Sequence, residues 1–160
     1  MRAVIQRVRS ASVVVDGRCV GQTGPGLLVF LGVAKGDGEK DIDWLIDKII
    51  NLRIFEKEDG KFDESLLDRG GSLLVVSQFT LYGDCTRGRR PSFSDAMPSG
   101  EAKVLFETFV ERARLRVADV QTGVFQAHME VSLTNDGPVT LIIDSRKEAE
   151  RVRSATESNR

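Results

Sequence analysis

Apolar positions along the chain change period several times, and each change marks an element. "AVIQRV" and "ASVVV" alternate at period two and read as strands, and the Asp16-Gly17 pair after them is a hairpin signal leading into "RCV". "GLLVFLGV", Gly26 to Val33, is a continuous apolar run between glycines, the pattern of a strand buried on both faces. Ile42, Leu45, Ile46 and Ile49 then recur at helical spacing, with acidic residues in the first turns. "SLLVVSQFTLYG", Ser72 to Gly83, returns to an apolar run and reads as a second buried strand with a polar end. Near "PSGEA" Ser99 is positioned as an N-cap, and Ala102, Leu105, Phe106, Phe109, Val110 and Ala113 form the stripe of a second helix. In "VFQAHMEVSLT" apolar and polar residues alternate strictly, which predicts a half-exposed antiparallel strand with "VTLIID" returning beside it.

These elements sum to an α+β domain: a mostly antiparallel, barrel-like β-sheet core covered by two helices. Neither repeat nor linker divides the chain, so residues 1–144 are read as one domain and residues 145–160 as a charged tail, for which a peripheral helix and disorder both stand. At 160 residues and 41% hydrophobic content, the chain can bury one sizeable core.

Charge and rare residues remove several functions. The formal net charge is -1, so contact with a nucleic acid has to come from local patches rather than from overall charge. Two cysteines far apart and a single histidine argue against a zinc site and against a disulfide framework; no metal and no cofactor is expected. The polar N-terminus lacks a signal-peptide pattern, and no apolar run reaches the roughly 18 residues of a membrane helix. The expectation is a cytoplasmic protein without membrane contact.

Candidate chemistry is concentrated in three stretches. Ser77, Gln78, Phe79 and Thr80 close a buried strand, where polar groups either satisfy the backbone or converge with backbone N–H groups on a small polar substrate. A serine triad is disfavoured, because His128 is the one available base and reads as a surface residue on another strand. Arg87, Arg89 and Arg90, with Phe93 nearby, lie in a loop punctuated by glycine and proline, either a solvated basic loop or a grip for phosphates with an aromatic for a base. Arg112, Arg114 and Arg116 read as a solvated helix face. The third stretch is "NDGPVT". Its Gly137-Pro138 step places a residue without an N–H where a hairpin expects a donor. A trans bond is the expectation from the residues alone, since about 5–6% of X-Pro bonds in folded proteins are cis.

"SQFTL" and "NDGPVT" together, with "IQRV", "GLLVFLGV", "RIF", "RGRRPSF", "FVERAR" and "QTGVFQAHMEVSLTNDGPVT" in order, resemble the D-aminoacyl-tRNA deacylase family from Met1 to about Ile143. The resemblance implies a homodimer of barrel-like subunits with active sites at the interface and a cis Gly-Pro bond whose loop enters the partner's site. It implies that the Gly137 and Pro138 carbonyls take the substrate's α-amino group and that Arg7 holds their loop. It also implies hydrolysis of the ester of D-aminoacyl-tRNA, rejection of L-esters by steric clash, and leakage onto glycyl-tRNA. Backbone N–H groups at Phe79 and Thr80 would serve the oxyanion, with Ser77 and Gln78 shaping the pocket. Activation stays open between the 2′-hydroxyl of the tRNA and Thr80 as nucleophile. The competing readings are an RNA-binding module without activity and a Ser/Thr hydrolase of small esters.

Overall fold

In a computed structural model, residues 1–57 and 60–146 are described. The chain begins with β1 (Arg2–Val15), turns into β2 (Arg18–Thr23) and continues as β3 (Gly26–Gly32). Helix α1 (Glu39–Asn51) follows, then the short strands β4 (Phe55–Glu56) and β5 (Phe62–Glu64), and a single-turn helix α2 (Leu66–Arg69). β6 (Ser72–Ser77) runs into a 3-10 turn (Phe79–Tyr82); α3 (Ser99–Arg114), β7 (Val120–Thr122) and β8 (Glu130–Asp144) complete the order.

A six-stranded sheet holds these pieces together in the order β2-β1-β3-β6-β7, with β8 on the other side of β1. Pairs β1–β2, β1–β3 and β1–β8 are antiparallel, whereas β3–β6 and β6–β7 are parallel. The parallel pairs are joined through α1 and α3, as parallel neighbours require. The predicted hairpin forms at Asp16 and Gly17, both at positive φ (49° and 73°), the twist of a two-residue hairpin turn.

Alternation on the strands separates two cores. Ala3, Ile5, Leu27, Val29, Leu31, Leu73 and Val75 face the helices and meet Ile42, Leu45, Ile46, Ile49, Phe106, Phe109 and Val110. Val8, Val13, Leu28, Leu74 and Val76 face the inside of the curled sheet with Phe30, Met129 and Val131. β3 is therefore buried on both faces, as its unbroken apolar run predicts. The curl nearly closes the sheet: a Cβ on Gly21 of β2 would collide with the backbone carbonyl of Thr122 in β7, so only glycine permits that approach.

Both long helices appear where the periodicity puts them, and α2 is an addition that the period of four residues could not reveal. The capping position of α3 is Pro98, not Ser99, which is already helical. Arg112 and Arg116 are more than a solvated face: they reach α1, Arg112 to Glu39 (2.6 Å) and Asp43 (2.7 Å), Arg116 to Asp47 (3.0 Å). Three further expectations are overturned. The apolar run from Ser72 stops being a strand at Ser77, because Gln78 donates its N–H to the Leu31 carbonyl (2.8 Å) and the chain then winds into the 3-10 turn. Residues 124–129 are a turn rather than a strand, with Gln126 at φ 63° and the Ala127 N–H on the Val124 carbonyl (3.2 Å). Finally, "NDGPVT" is no hairpin. Residues 130–144 form one strand, and both its halves pair with β1.

Candidate active site

The interruption in β8 is readable from its register. Val8 of β1 faces Asn135 and Gln6 faces Thr140, so four residues of β8, Asp136 to Val139, stand opposite the single residue Arg7. The excess is pushed out as an excursion in the middle of a paired strand. Asn135 closes its neck: the side-chain oxygen accepts the Val139 N–H (2.9 Å) and the amide donates to the Val139 carbonyl (3.1 Å). Proline at 138 fits because its residue has left the ladder and has no N–H to place there. The Gly137-Pro138 bond is cis, in agreement with the family resemblance and contrary to the expectation from the residues alone.

Arg7 fills the space beneath the excursion and is 5% exposed. Its Nε donates to the Asp136 carbonyl (3.0 Å), and Nη1 donates to the Ile54 carbonyl (2.6 Å). Glu56 (3.4 Å) and the Asp136 carboxylate (3.5 Å) neutralise it, and the Phe62 ring lies 5.3 Å away. The excursion is thereby anchored to both β1 and the segment entering β4.

A second region forms at the end of β6. Ser77, Gln78 and Phe79 line a cleft of about 670 Å³ together with Phe93, Met97, Pro98, Phe125, Gln126, His128 and Met129. Phe79 is 59% exposed and meets Phe93 edge-on, with ring centroids 5.0 Å apart. The Gln78 amide donates to the Thr80 hydroxyl. At the base of the turn, Arg2 donates from Nη1 to the Leu81 carbonyl (2.7 Å). Among the described residues neither the Phe79 nor the Thr80 N–H donates to a carbonyl, which leaves both available at the start of the turn.

Phe93 joins the cleft, but Arg87, Arg89 and Arg90 do not line it; all three are exposed on the adjoining loop. A two-bond clasp between Asp84 and Ser92 (2.7 and 2.9 Å) holds the ends of that loop together. Hydrogen bonds from the Thr86 hydroxyl and N–H hold the Asp84 carboxyl below its ordinary range. His128, which reads from the sequence as a surface residue, faces the same cleft as Ser77. Its arrival, with Phe125, Gln126 and Met129, depends on the 124–129 turn. Strict alternation disguises that turn, and Gln126 carries no glycine-like signal for its left-handed backbone.

Gly137, Pro138 and Arg7 do not reach this cleft in their own chain. Ser77 aligns with Leu31, Leu31 with Ala3, and Ala3 with Ile143. The excursion is thus three ladders away and four residues along β1, on the order of 14 Å across and 13 Å along. The outer edge of β8 has no strand partner among the described residues, and Leu133, Leu141 and Ile142 are exposed there. Also among the described residues, no group of His, Cys, Asp and Glu side chains comes together as a metal site, and no helix is long and apolar enough to cross a membrane.

Comparison with known proteins bears on this arrangement. The model of a family described as D-Tyr-tRNA(Tyr) deacylase matches residues 4–144. The D-aminoacyl-tRNA deacylase of Kosmotoga olearia is 62% identical over 92% of the chain and 99% of its own length, and that of Thermosipho africanus is 59% identical over the same shares. A solved structure of the "c-Myc DNA Unwinding Element Binding Protein" superposes with a TM-score of 0.85 at 40% identity, covering 90% of this chain and 98% of that one. A probable eukaryotic D-amino acid tRNA deacylase shares the fold at a TM-score of 0.77 and 17% identity, over 89% and 98% of the two chains.

Proposed function

The chain belongs to the D-Tyr-tRNA(Tyr) deacylase family and is an aminoacyl-tRNA hydrolase, and from that premise we propose that it cleaves the ester of D-aminoacyl-tRNA to free D-amino acid and tRNA, sparing L-esters. The observation that carries this reading is the pairing of two unlike structures: an open cleft at Ser77–Phe79 and a braced Gly137-Pro138 excursion that its own cleft cannot use. Two copies exchanging excursions across their β8 edges make each cleft complete, so the working form is a homodimer, acting in the cytoplasm on charged tRNA. Exposed Leu133, Leu141 and Ile142 on the unpaired β8 edge support that assembly.

In this reading the Gly137 and Pro138 carbonyls of one subunit accept hydrogen bonds from the substrate α-ammonium in the other. A backbone wall fixed in this way leaves room for hydrogen on one side of Cα and excludes an L side chain by contact. Exclusion by contact needs no pocket for each D side chain, so the range of D-residues is broad, and glycyl-tRNA is cleaved to some degree because glycine has nothing to exclude. Phe79 and Thr80 N–H groups stabilise the oxyanion as water adds to the ester carbonyl; one such donor is worth about 100- to 1,000-fold in rate. Ser77 and Gln78 shape the pocket for the carbonyl and the terminal adenosine. Arg87, Arg89, Arg90 and Phe93 extend the contact to tRNA.

Activation of water falls to the 2′-hydroxyl of the terminal ribose. Support comes from Thr80 itself: its hydroxyl accepts from the Gln78 amide, a donor that cannot take a proton from it. Thr80→Ala accordingly retains most activity, and a tRNA ending in 2′-deoxyadenosine is bound without being cleaved; complete loss in a folded Thr80→Ala enzyme favours the nucleophile instead. The overall reading is tested with matched D- and L-tyrosyl-tRNA at enzyme far below substrate. Selective loss of the D-ester supports it. Equal loss of both overturns chiral selection, and loss of neither brings forward the reading of an RNA-binding module.

A further inference from the structure

The segment that ends the cleft is braced from outside by residues that take no direct part in the proposed reaction. Arg2 stands at the start of β1, away from the cleft lining. Its guanidinium makes three contacts at once: Nη1 donates to the Leu81 carbonyl in the turn (2.7 Å), Nε donates to Asp144 Oδ2 (2.9 Å), and the carbon centre stacks 4.8 Å from the Tyr82 ring centroid. The ion pair closes through Nη2 and Asp144 Oδ2 at 2.8 Å, and the Asp144 side chain is 5% exposed. From another direction Arg146 stands 5.5 Å from the same ring and donates to the Lys35 carbonyl (2.6 Å), with Asp37 3.5 Å from its Nε. Tyr82 itself is 6% exposed.

We propose that Arg2, braced by Asp144, is a positioning residue for hydrolysis: it holds the Leu81 carbonyl and Tyr82 ring so that the Phe79–Tyr82 turn presents its first N–H groups and the Gln78 and Phe79 side chains to the cleft at a fixed tilt. The physical case rests on which hydrogen bonds tie the two ends of the turn to the sheet. Its near end is tied to β3 by the Gln78 N–H on the Leu31 carbonyl, and its far end has Arg2. The turn's own bonds, Leu81 N–H on the Gln78 carbonyl (3.3 Å) and Gly83 N–H on the Thr80 carbonyl (3.0 Å), fix its shape but not its tilt against the sheet, which is left to anchors such as Arg2. Arginine suits the task because a planar fork can serve a carbonyl and a carboxylate together, which a lysine ammonium cannot do in the same geometry. Placement matters here because a shift of about 1 Å at reacting groups costs on the order of 100-fold in rate.

This inference rests on the proposed deacylase reading. Arg2→Gln, Arg2→Lys and Asp144→Asn enzymes are compared with wild type under single-turnover and steady-state conditions on D-tyrosyl-tRNA, alongside thermal melts and near-ultraviolet circular dichroism. The expected result is a fall in kcat of about 10- to 100-fold at nearly constant KM, in proteins still folded at the assay temperature. Arg2→Lys, which keeps the charge beside Asp144, stays well below wild type. The Arg2→Gln/Asp144→Asn double variant is no worse than Arg2→Gln alone, because the two act as one unit. Unchanged kcat in the folded variants overturns the inference while leaving the deacylase reading intact, as does full activity in Arg2→Lys. Should Arg2→Gln fail to fold, the lysine and asparagine variants carry the same decision. A wild-type protein without D-ester activity overturns the deacylase reading, and this inference with it.

Discussion

Replacing Arg7 by methionine keeps the apolar stem and removes everything that stem delivers. Two backbone carbonyls, those of Ile54 and Asp136, lose their donor, the first in a buried position. Leaving such a group unpaired costs about 1–3 kcal/mol, with the lower end suited to the partly exposed Asp136 carbonyl. The carboxylates of Glu56 and Asp136 are half-exposed and contribute little more, about 0–1 kcal/mol. Together they set the expected loss for Arg7→Met at about 2–4 kcal/mol, a fall in melting temperature of about 5–15 °C for a chain of this size. Arg7→Lys restores at most one of the two bonds and falls between. Urea unfolding at fixed temperature reads the first effect, and D-ester hydrolysis well below the melting temperature reads the second, expected to be at least about tenfold slower because the excursion has lost its inner support. A loss under about 0.5 kcal/mol with unchanged hydrolysis refutes the brace.

Other consequences can be checked separately. Gly137 has φ 134°, and an added Cβ would stand 2.8 Å from Val139 Cγ2 and 3.0 Å from Arg7 Nη2; Gly137→Ala therefore costs about 1–3 kcal/mol in denaturant melts and lowers D-ester turnover, and equal stability would show the site to be slack. The Tyr82 hydroxyl is buried with no hydrogen-bond partner among the described residues, so Tyr82→Phe is neutral or up to about 1 kcal/mol more stable at pH 7, and a loss of stability larger than that refutes the account. Burial, with Asp37 and Asp144 adding, holds the Tyr82 phenol well above its ordinary range. Its share of stability is complete below about pH 10 and disappears as pH climbs toward the folded value, so wild type weakens more steeply than Tyr82→Phe in melts from pH 9 to 11. Converting Arg87, Arg89 and Arg90 to alanine raises KM for charged tRNA and makes its salt dependence shallower by about one unit for each phosphate no longer gripped, with turnover at saturation retained; an unaltered KM assigns the loop to solvent.

The fold is legible in the sequence where one physical cause dominates the pattern. The Ile42–Ile49 and Ala102–Ala113 stripes have to be helices because only that geometry buries them together, and the doubly apolar Gly26–Gly32 run has to lie between two packed faces. Legibility ends where a local pattern is overruled by a partner far away in the chain. Phe125 to Met129 alternate like a strand, yet among the described residues no strand pairs with them and they turn, bringing Gln126 and His128 into the cleft. Asn135-Asp136-Gly137 has the composition of a hairpin, but β1 pairs with the residues on both sides of it and a turn-back would forfeit half of those bonds. Arg7 is signalled only through family likeness; nothing in "IQRV" itself announces that its arginine is buried under an excursion of β8. Arg2 and Asp144 carry no signal at all, because two charged residues near opposite ends of a sequence give no sign that they are neighbours.

Pairing β1 with β8 has a consequence for how the molecule comes into being. Arg2 lies opposite Asp144 in the ladder, so the central strand of the sheet waits for the last strand to be made. During synthesis β1 can acquire β2 and β3 early, while its other edge stays open until β8, at the far end of the described chain, has left the ribosome. Ladders that close over such separations form slowly, and an open apolar edge is a template for the wrong chain. Nascent copies on one message therefore compete with their own C-terminal strand for β1, which makes yield sensitive to translation speed and to chaperones that shield strand edges.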